Sequence, residues 1–175
     1  MEVIVTIDSR KTKSQRNPFD WTYGVAVKAN DLEEELTVCF SGHQIQAKKT
    51  RIEEKWITML AVAAARAVRQ LKLGHVSRLK LYVCKDLTCN TEKKRATLIA
   101  AVAETLRMPH SSIDAELVTR KNSKSGLELA EQYNRAHRAA RGKVYTYCSP
   151  QEVEKVLEIV HRRWTLLSEW GKSFK

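Results

Sequence analysis

The 175-residue chain is poor in turn-formers and in sulfur, with only three prolines, six glycines and four cysteines. Hydrophobic residues make up 43% and charged residues 29%, so a collagen-like or disordered chain is excluded. Cys39, Cys84, Cys89 and Cys148 form no C-x-x-C pair, which removes a zinc ribbon and a thioredoxin-like motif. Cys39 and Cys84 fall inside apolar strand-like runs and read as small buried hydrophobes. Nor is there a long apolar run. The longest, around Ile57 to Ala65, is too short to span a bilayer, and no signal-like segment precedes the first strand. The expectation is an intracellular protein, cytoplasmic or nuclear, with no membrane partner. The five histidines lack metal-ligand spacing and are given no role. Acidic residues are also scarce: 20 against 31 lysines and arginines leave a net charge of +11. That balance makes polyanions, nucleic acid first, the expected partner class.

What is present begins with an alternating run, Val3-Ile4-Val5-Thr6-Ile7-Asp8. Val3, Val5 and Ile7 share one face of a strand that delivers Asp8 to the end of a sheet. Trp21 to Lys28 and Glu35 to Gly42 alternate as two further strands, with Asn30-Asp31 able to turn the chain between them, a meander. Thr50 with Glu53 gives a capping-box pattern, and Arg51 to about Leu73 reads as a helix ended by Gly74. Arg78 to Asp86 is a fourth strand, again finishing in aspartate. The helix before it permits a parallel crossover beside the first strand, so that Asp8 and Asp86 meet at one carboxyl end. A second helix runs from Thr91 to Leu106, opened by Asn90 or Thr91. Asp114 to Arg120 is a fifth strand, Lys121 to Gly126 a basic loop, and Leu127 to Arg141 a third helix stopped by Gly142. Val144 to Tyr147 is extended. Ser149-Pro150 then opens a last helix with Val153, Val156, Leu157, Val160, Trp164 and Leu167 on one stripe.

Three strands, helix, strand, helix, strand, helix, with aspartates ending the first and fourth strands, resembles the ribonuclease H family over roughly Met1 to Arg141. Ile7-Asp8-Ser9 is similar to the family's first-strand motif, with Ser9 where a glycine is usual. Thr50-x-x-Glu53-Glu54 is similar to the motif that puts a glutamate early in the first helix, and Glu54 fits it better than Glu53. Leu81-Tyr82-Val83-Cys84-Lys85-Asp86 is similar to the strand that carries the second aspartate. Leu127 to Ala136 resembles the last-helix motif in two registers, which put either Glu131 or Asn134 at the fourth ligand position.

The resemblance implies an α/β fold, a mixed five-stranded sheet with strands 1–3 antiparallel and strands 4 and 5 parallel to strand 1, spanning 1–142. A strand-and-helix extension, 143–175, packs on the same domain. It also implies Mg²⁺ or Mn²⁺ held by Asp8, Glu54, Asp86 and Glu131 or Asn134, cutting the RNA strand of RNA–DNA hybrids. Phosphodiester hydrolysis needs an activated water and a stabilised leaving oxygen, and two divalent ions about 3.5–4 Å apart serve both. Lys48, Lys49, Arg51, Lys93, Lys94, Arg95, Lys121 and Lys124 are the expected nucleic-acid contacts, and Trp21 or Trp56 the stacking surfaces. Arg135, Arg138 and Arg141 read equally as a phosphate rail or as a solvated face. The divergent fourth ligand motivates a second reading, a binding or scaffold module without turnover, and because four carboxylates would serve equally on DNA a third is a DNA nuclease of junction-resolvase or transposase type. The apolar stripe of the last helix is expected to bury itself against its own domain, a protein partner or a second copy.

Overall fold

The computed structural model describes residues 1–10, 21–40, 51–84, 91–118 and 127–173. In chain order the elements are β1 (Glu2–Arg10), β2 (Trp21–Ala29), β3 (Leu32–Phe40), α1 (Ile52–Gln70), β4 (Arg78–Cys84), α2 (Glu92–Leu106), β5 (Ile113–Val118), α3 (Leu127–Ala139), β6 (Thr146–Tyr147) and α4 (Pro150–Ser173). The strands form one mixed sheet in the order β5-β4-β1-β2-β3-β6. β1, β2 and β3 are an antiparallel meander, joined between the last two by Asn30-Asp31 with Asn30 at φ 52°. Asparagine tolerates that left-handed conformation better than most residues. β4 and β5 run parallel to β1, as the intervening helices require. The sheet has six strands rather than the expected five: Thr146 and Tyr147 pair beside Val38 and Cys39 at the far edge.

Alternation gives the sheet two unlike faces. Val3, Val5, Ile7, Val25, Val27, Val38, Leu79, Leu81 and Val83 make one face, wholly buried. Tyr23 belongs to it, and its hydroxyl reaches Met59 Sδ of α1 at 4.0 Å. α1 lies on this face, and α2 and α4 pack on α1 and on one another. The opposite face carries Thr6, Asp8, Thr22, Gly24 and Thr37, and among the described residues α3 is the helix that crosses it. A β-carbon on Gly24 would stand 2.0 Å from the Ala136 carbonyl oxygen and 2.1 Å from the Ala140 nitrogen. The glycine is there because the helix backbone occupies the space a side chain would need.

Several element ends differ from the sequence expectation, each for a local reason. α1 begins after Arg51, whose N–H donates to Glu54 Oε2 at 2.9 Å, so Glu54 rather than Glu53 makes the capping contact. Thr50 lies outside the described residues. α1 ends at Gln70, short of Gly74, because Lys72 itself adopts the left-handed conformation at φ 49°. Thr91 is the cap of α2, its hydroxyl accepting from Lys94 N at 3.3 Å. α3 stops at Ala139, and Gly142 is needed for a close approach: a β-carbon there would meet Thr37 Oγ1 at 2.5 Å.

α4 lies along α1 with its amino-terminal turn beside the second half of that helix. Arg66 Nε donates to both carboxylate oxygens of Glu152 at 3.0 Å, and Arg66 Nη2 to one of them at 2.6 Å. Val153, Val156, Val160 and Trp164 are buried in the common core.

Candidate functional site

Asp8 lies two residues from the end of β1 and is 7% exposed. Its Oδ1 accepts from Ser9 N at 2.8 Å. Its Oδ2 faces His137 Nδ1 of α3 at 2.7 Å. The other imidazole nitrogen, Nε2, is met by Arg141 Nη1. A guanidinium can only donate and a carboxylate can only accept, so the imidazole bridges Arg141 and Asp8. Tyr133 stacks on the same imidazole, with ring centroids 6.2 Å apart and planes 9° from parallel. Tyr133 and His137 stand one turn apart on the same side of α3, and Arg141 reaches back from just past its end.

Glu54, 1% exposed, sits in the first turn of α1. Besides the Arg51 amide, it takes a hydrogen bond from His161 Nδ1 of α4, 2.5 Å from Oε1. This turn stands at the end of the sheet where β1 finishes: Met59, little more than one helical turn on, touches Tyr23, which pairs with Ser9. Asp8 and Glu54 therefore share an end of the sheet but reach it from opposite faces. β4 also leaves the sheet there. Its register pairs Ile7 with Val83, so Cys84 comes level with Asp8, and Asp86 lies outside the described residues.

The remaining expected residues divide. Glu131 and Asn134 are exposed on α3, and the side chain that α3 turns to Asp8 is His137. Among the described residues no three His, Cys, Asp or Glu side chains come together as a metal group. Of the expected basic contacts, Lys48, Lys49, Lys121 and Lys124 lie outside the described residues. Arg51, Lys94 and Arg95 cluster at the first turns of α1 and α2, where Arg95 pairs with Glu92 at 2.7 Å. Lys93 is a strut between helices: its ammonium lies 3.8 Å from the centroid of the Trp164 ring and against Ser168 Oγ. Burial, and then the nearby Arg51 charge, hold its pKa below the usual lysine value despite Glu54 and Glu53. Trp56 is half-buried against the core. Arg135 is committed to Glu35 at 2.7 Å and to Glu33, which removes it from any phosphate rail.

The histidines are what sequence reasoning missed. His137 and His161 hold the two buried carboxylates, yet each stands more than a hundred residues from its partner, and no local spacing rule connects them. Only their place on apolar-striped helices, level with core residues, offers a signal, and it is a weak one. Comparison with protein-family models and with curated proteins finds no match, so a functional reading of this chain rests on these side chains.

Proposed function

We propose that the chain is a ribonuclease H-like, metal-dependent endonuclease that hydrolyses the RNA strand of RNA–DNA hybrids. The observation that carries the reading is a pair of buried carboxylates, Asp8 and Glu54, presented at the carboxyl end of a central parallel β1–β4 pair. Open α/β sheets place ligands at that end. Strand order, crossover helix and the helix on the polar face agree with such a fold.

Asp8 and Glu54 are hard oxygen donors suited to Mg²⁺ or Mn²⁺, and each carboxylate keeps lone pairs beyond those taken by its histidine. Asp86, outside the described residues, would complete the set. When bound, the ions would activate water and relieve the leaving oxygen of charge. The chain's own part is to hold and aim. His137 fixes the orientation of Asp8, His161 that of Glu54, and Arg51, Lys94 and Arg95 attract the phosphate backbone.

The exposed Glu131 and the histidine set against Asp8 favour one second reading, a nucleic-acid-binding module of the same fold without turnover. A panel of RNA–DNA hybrid, duplex RNA, duplex DNA and branched DNA with Mg²⁺ or Mn²⁺ separates the two. The expected result is hybrid cleavage that falls about a hundredfold or more in Asp8→Asn, as loss of a transition-state charge stabiliser does elsewhere. Salt-sensitive binding without cleavage on any substrate would select the binding module instead. Cleavage confined to DNA would select the DNA nuclease.

A further inference from the structure

We propose that the groove at the amino-terminal end of the sheet, remote from Asp8 and Glu54, is a second binding surface for a nucleic-acid phosphate backbone. A cavity of about 720 Å³ lies between the last turns of α1 and α2 and the first turns of α4. It continues on one side into a cavity of about 520 Å³ with which it shares Arg69, Lys72 and Arg107. On the other side it continues into one of about 500 Å³, sharing Leu36, Gln70 and Thr146. The three form one open furrow.

The acids in this furrow are already spent. Glu152 gives both oxygens to Arg66, Glu104 is held by Arg163 at 2.8 Å and by Arg162, and Glu35 is held by Arg135. Lys72, Arg107, Lys143 and Lys155 line the same furrow, are exposed, and make no ion pair with a described residue. Two of them stand where a basic side chain is not the stable choice. Lys72 has φ 49° and Arg107 φ 56°, left-handed positions just past helix ends where glycine is under less strain.

The plain alternative is that cations beyond a helix carboxyl end offset its dipole. That accounts for Lys72 and Arg107 alone. Lys155 lies in the early turns of α4, where the dipole favours acids, and Lys143 lies in the segment before β6. The cations are strung along linked cavities, not gathered on one point, which suits a line of phosphates better than a single phosphate. α1 is 19 residues long. At 1.5 Å per residue Arg66, at the near edge of the furrow, stands about 18 Å along the helix from Glu54 and Gln70 about 24 Å, so the furrow would contact a different stretch of the nucleic acid. The inference does not rest on the nuclease reading.

The test is fluorescence anisotropy of the full chain with a labelled DNA duplex and a labelled hybrid, in chelator so that no cleavage intervenes. Lys72→Gly with Arg107→Gly removes two cations and relieves both left-handed positions, so the unfolding midpoint should hold or rise. Binding should weaken roughly tenfold or more at 0.1 M salt, with a log–log salt slope shallower by about 2. Lys143→Glu with Lys155→Glu should weaken binding by a similar factor. Unchanged affinity and slope in both double variants would overturn the proposal, as would capture of a phosphopeptide with no binding of duplex. Asp8→Asn tests the other reading: it should leave this binding intact, so loss of cleavage and loss of furrow binding are read separately.

Discussion

At Gly24 a single β-carbon decides how α3 sits on the sheet. Its nearest neighbours would be backbone atoms of Ala136 and Ala140 at 2.0 and 2.1 Å, which cannot swing aside as a side chain can. Gly24→Ala is therefore expected to lower stability in urea by about 3 kcal/mol, the upper part of the range for overpacking. Because His137 lies between those two contacts on the same helix, the variant should also loosen the hold on Asp8. An unfolding midpoint equal to that of the parent would mean that α3 does not pack here. The residue scale is also where the sequence is least readable. Asp8 and Glu54 stand out because a strand end and a first helical turn are local patterns. Their histidines do not, since 129 and 107 residues separate the members of each pair. Gly24 carried a faint signal of its own, for glycine inside a strand often marks a close backbone approach.

Among the elements, α4 shows how an apparent appendage can belong to the core. Its apolar stripe was legible in Val153, Val156, Val160 and Trp164, but a stripe does not say what covers it. The structure supplies α1 and α2 as that cover, with Arg66 gripping Glu152 in the first turn of α4 and His161, at its midpoint, bonded to Glu54. Each such side chain contributes about 1.5–3 kcal/mol when buried. Losing four of them approaches the whole stability of a typical domain, about 5–15 kcal/mol. A chain truncated before Pro150 is expected to lose cooperative thermal unfolding and to expose the α1–α2 surface to a hydrophobic dye. A sharp transition in the truncated chain would show that residues 1–149 fold without α4. Strand and helix order was readable throughout because hydrophobic period separates 2 from 3.6 cleanly. The ends were readable in part: α2 stops at Leu106 as expected, whereas α1 stops at Gln70 because Lys72, and not the expected Gly74, takes the left-handed position.

For the molecule as a whole, charge and burial together bound the pH range in which the fold holds. On the acid side the group is Glu104. Burial pushes its carboxyl up, but Arg163 and Arg162 outweigh burial and leave it below its ordinary 4.5. A depressed folded value means that its stabilisation is complete above the unfolded value and is lost as pH falls through the folded one. On the alkaline side two thiols act together: Cys39, raised by burial with Thr22 opposing, and Cys148, pushed from 9.0 up to about 12, first by burial and then by Glu152, with Arg66 opposing. A raised folded value acts in the other direction. The unfolded thiol ionises first, so stability is complete below pH 9 and declines as pH climbs toward 12. Thermal midpoints across pH should therefore fall at both extremes. Cys148→Ala should flatten part of the alkaline limb and leave the acid limb alone. Glu104→Gln should flatten the acid limb and lower stability near neutrality by about 0.5–1 kcal/mol, the scale of a partly exposed ion pair. The same burial shuts off access to Cys148 and removes the small thiolate fraction an exposed cysteine carries at pH 8, so alkylation of this residue at that pH should wait for unfolding. Rapid labelling of Cys148 in the folded protein would contradict its burial in the core, and with it the assignment of the alkaline limb.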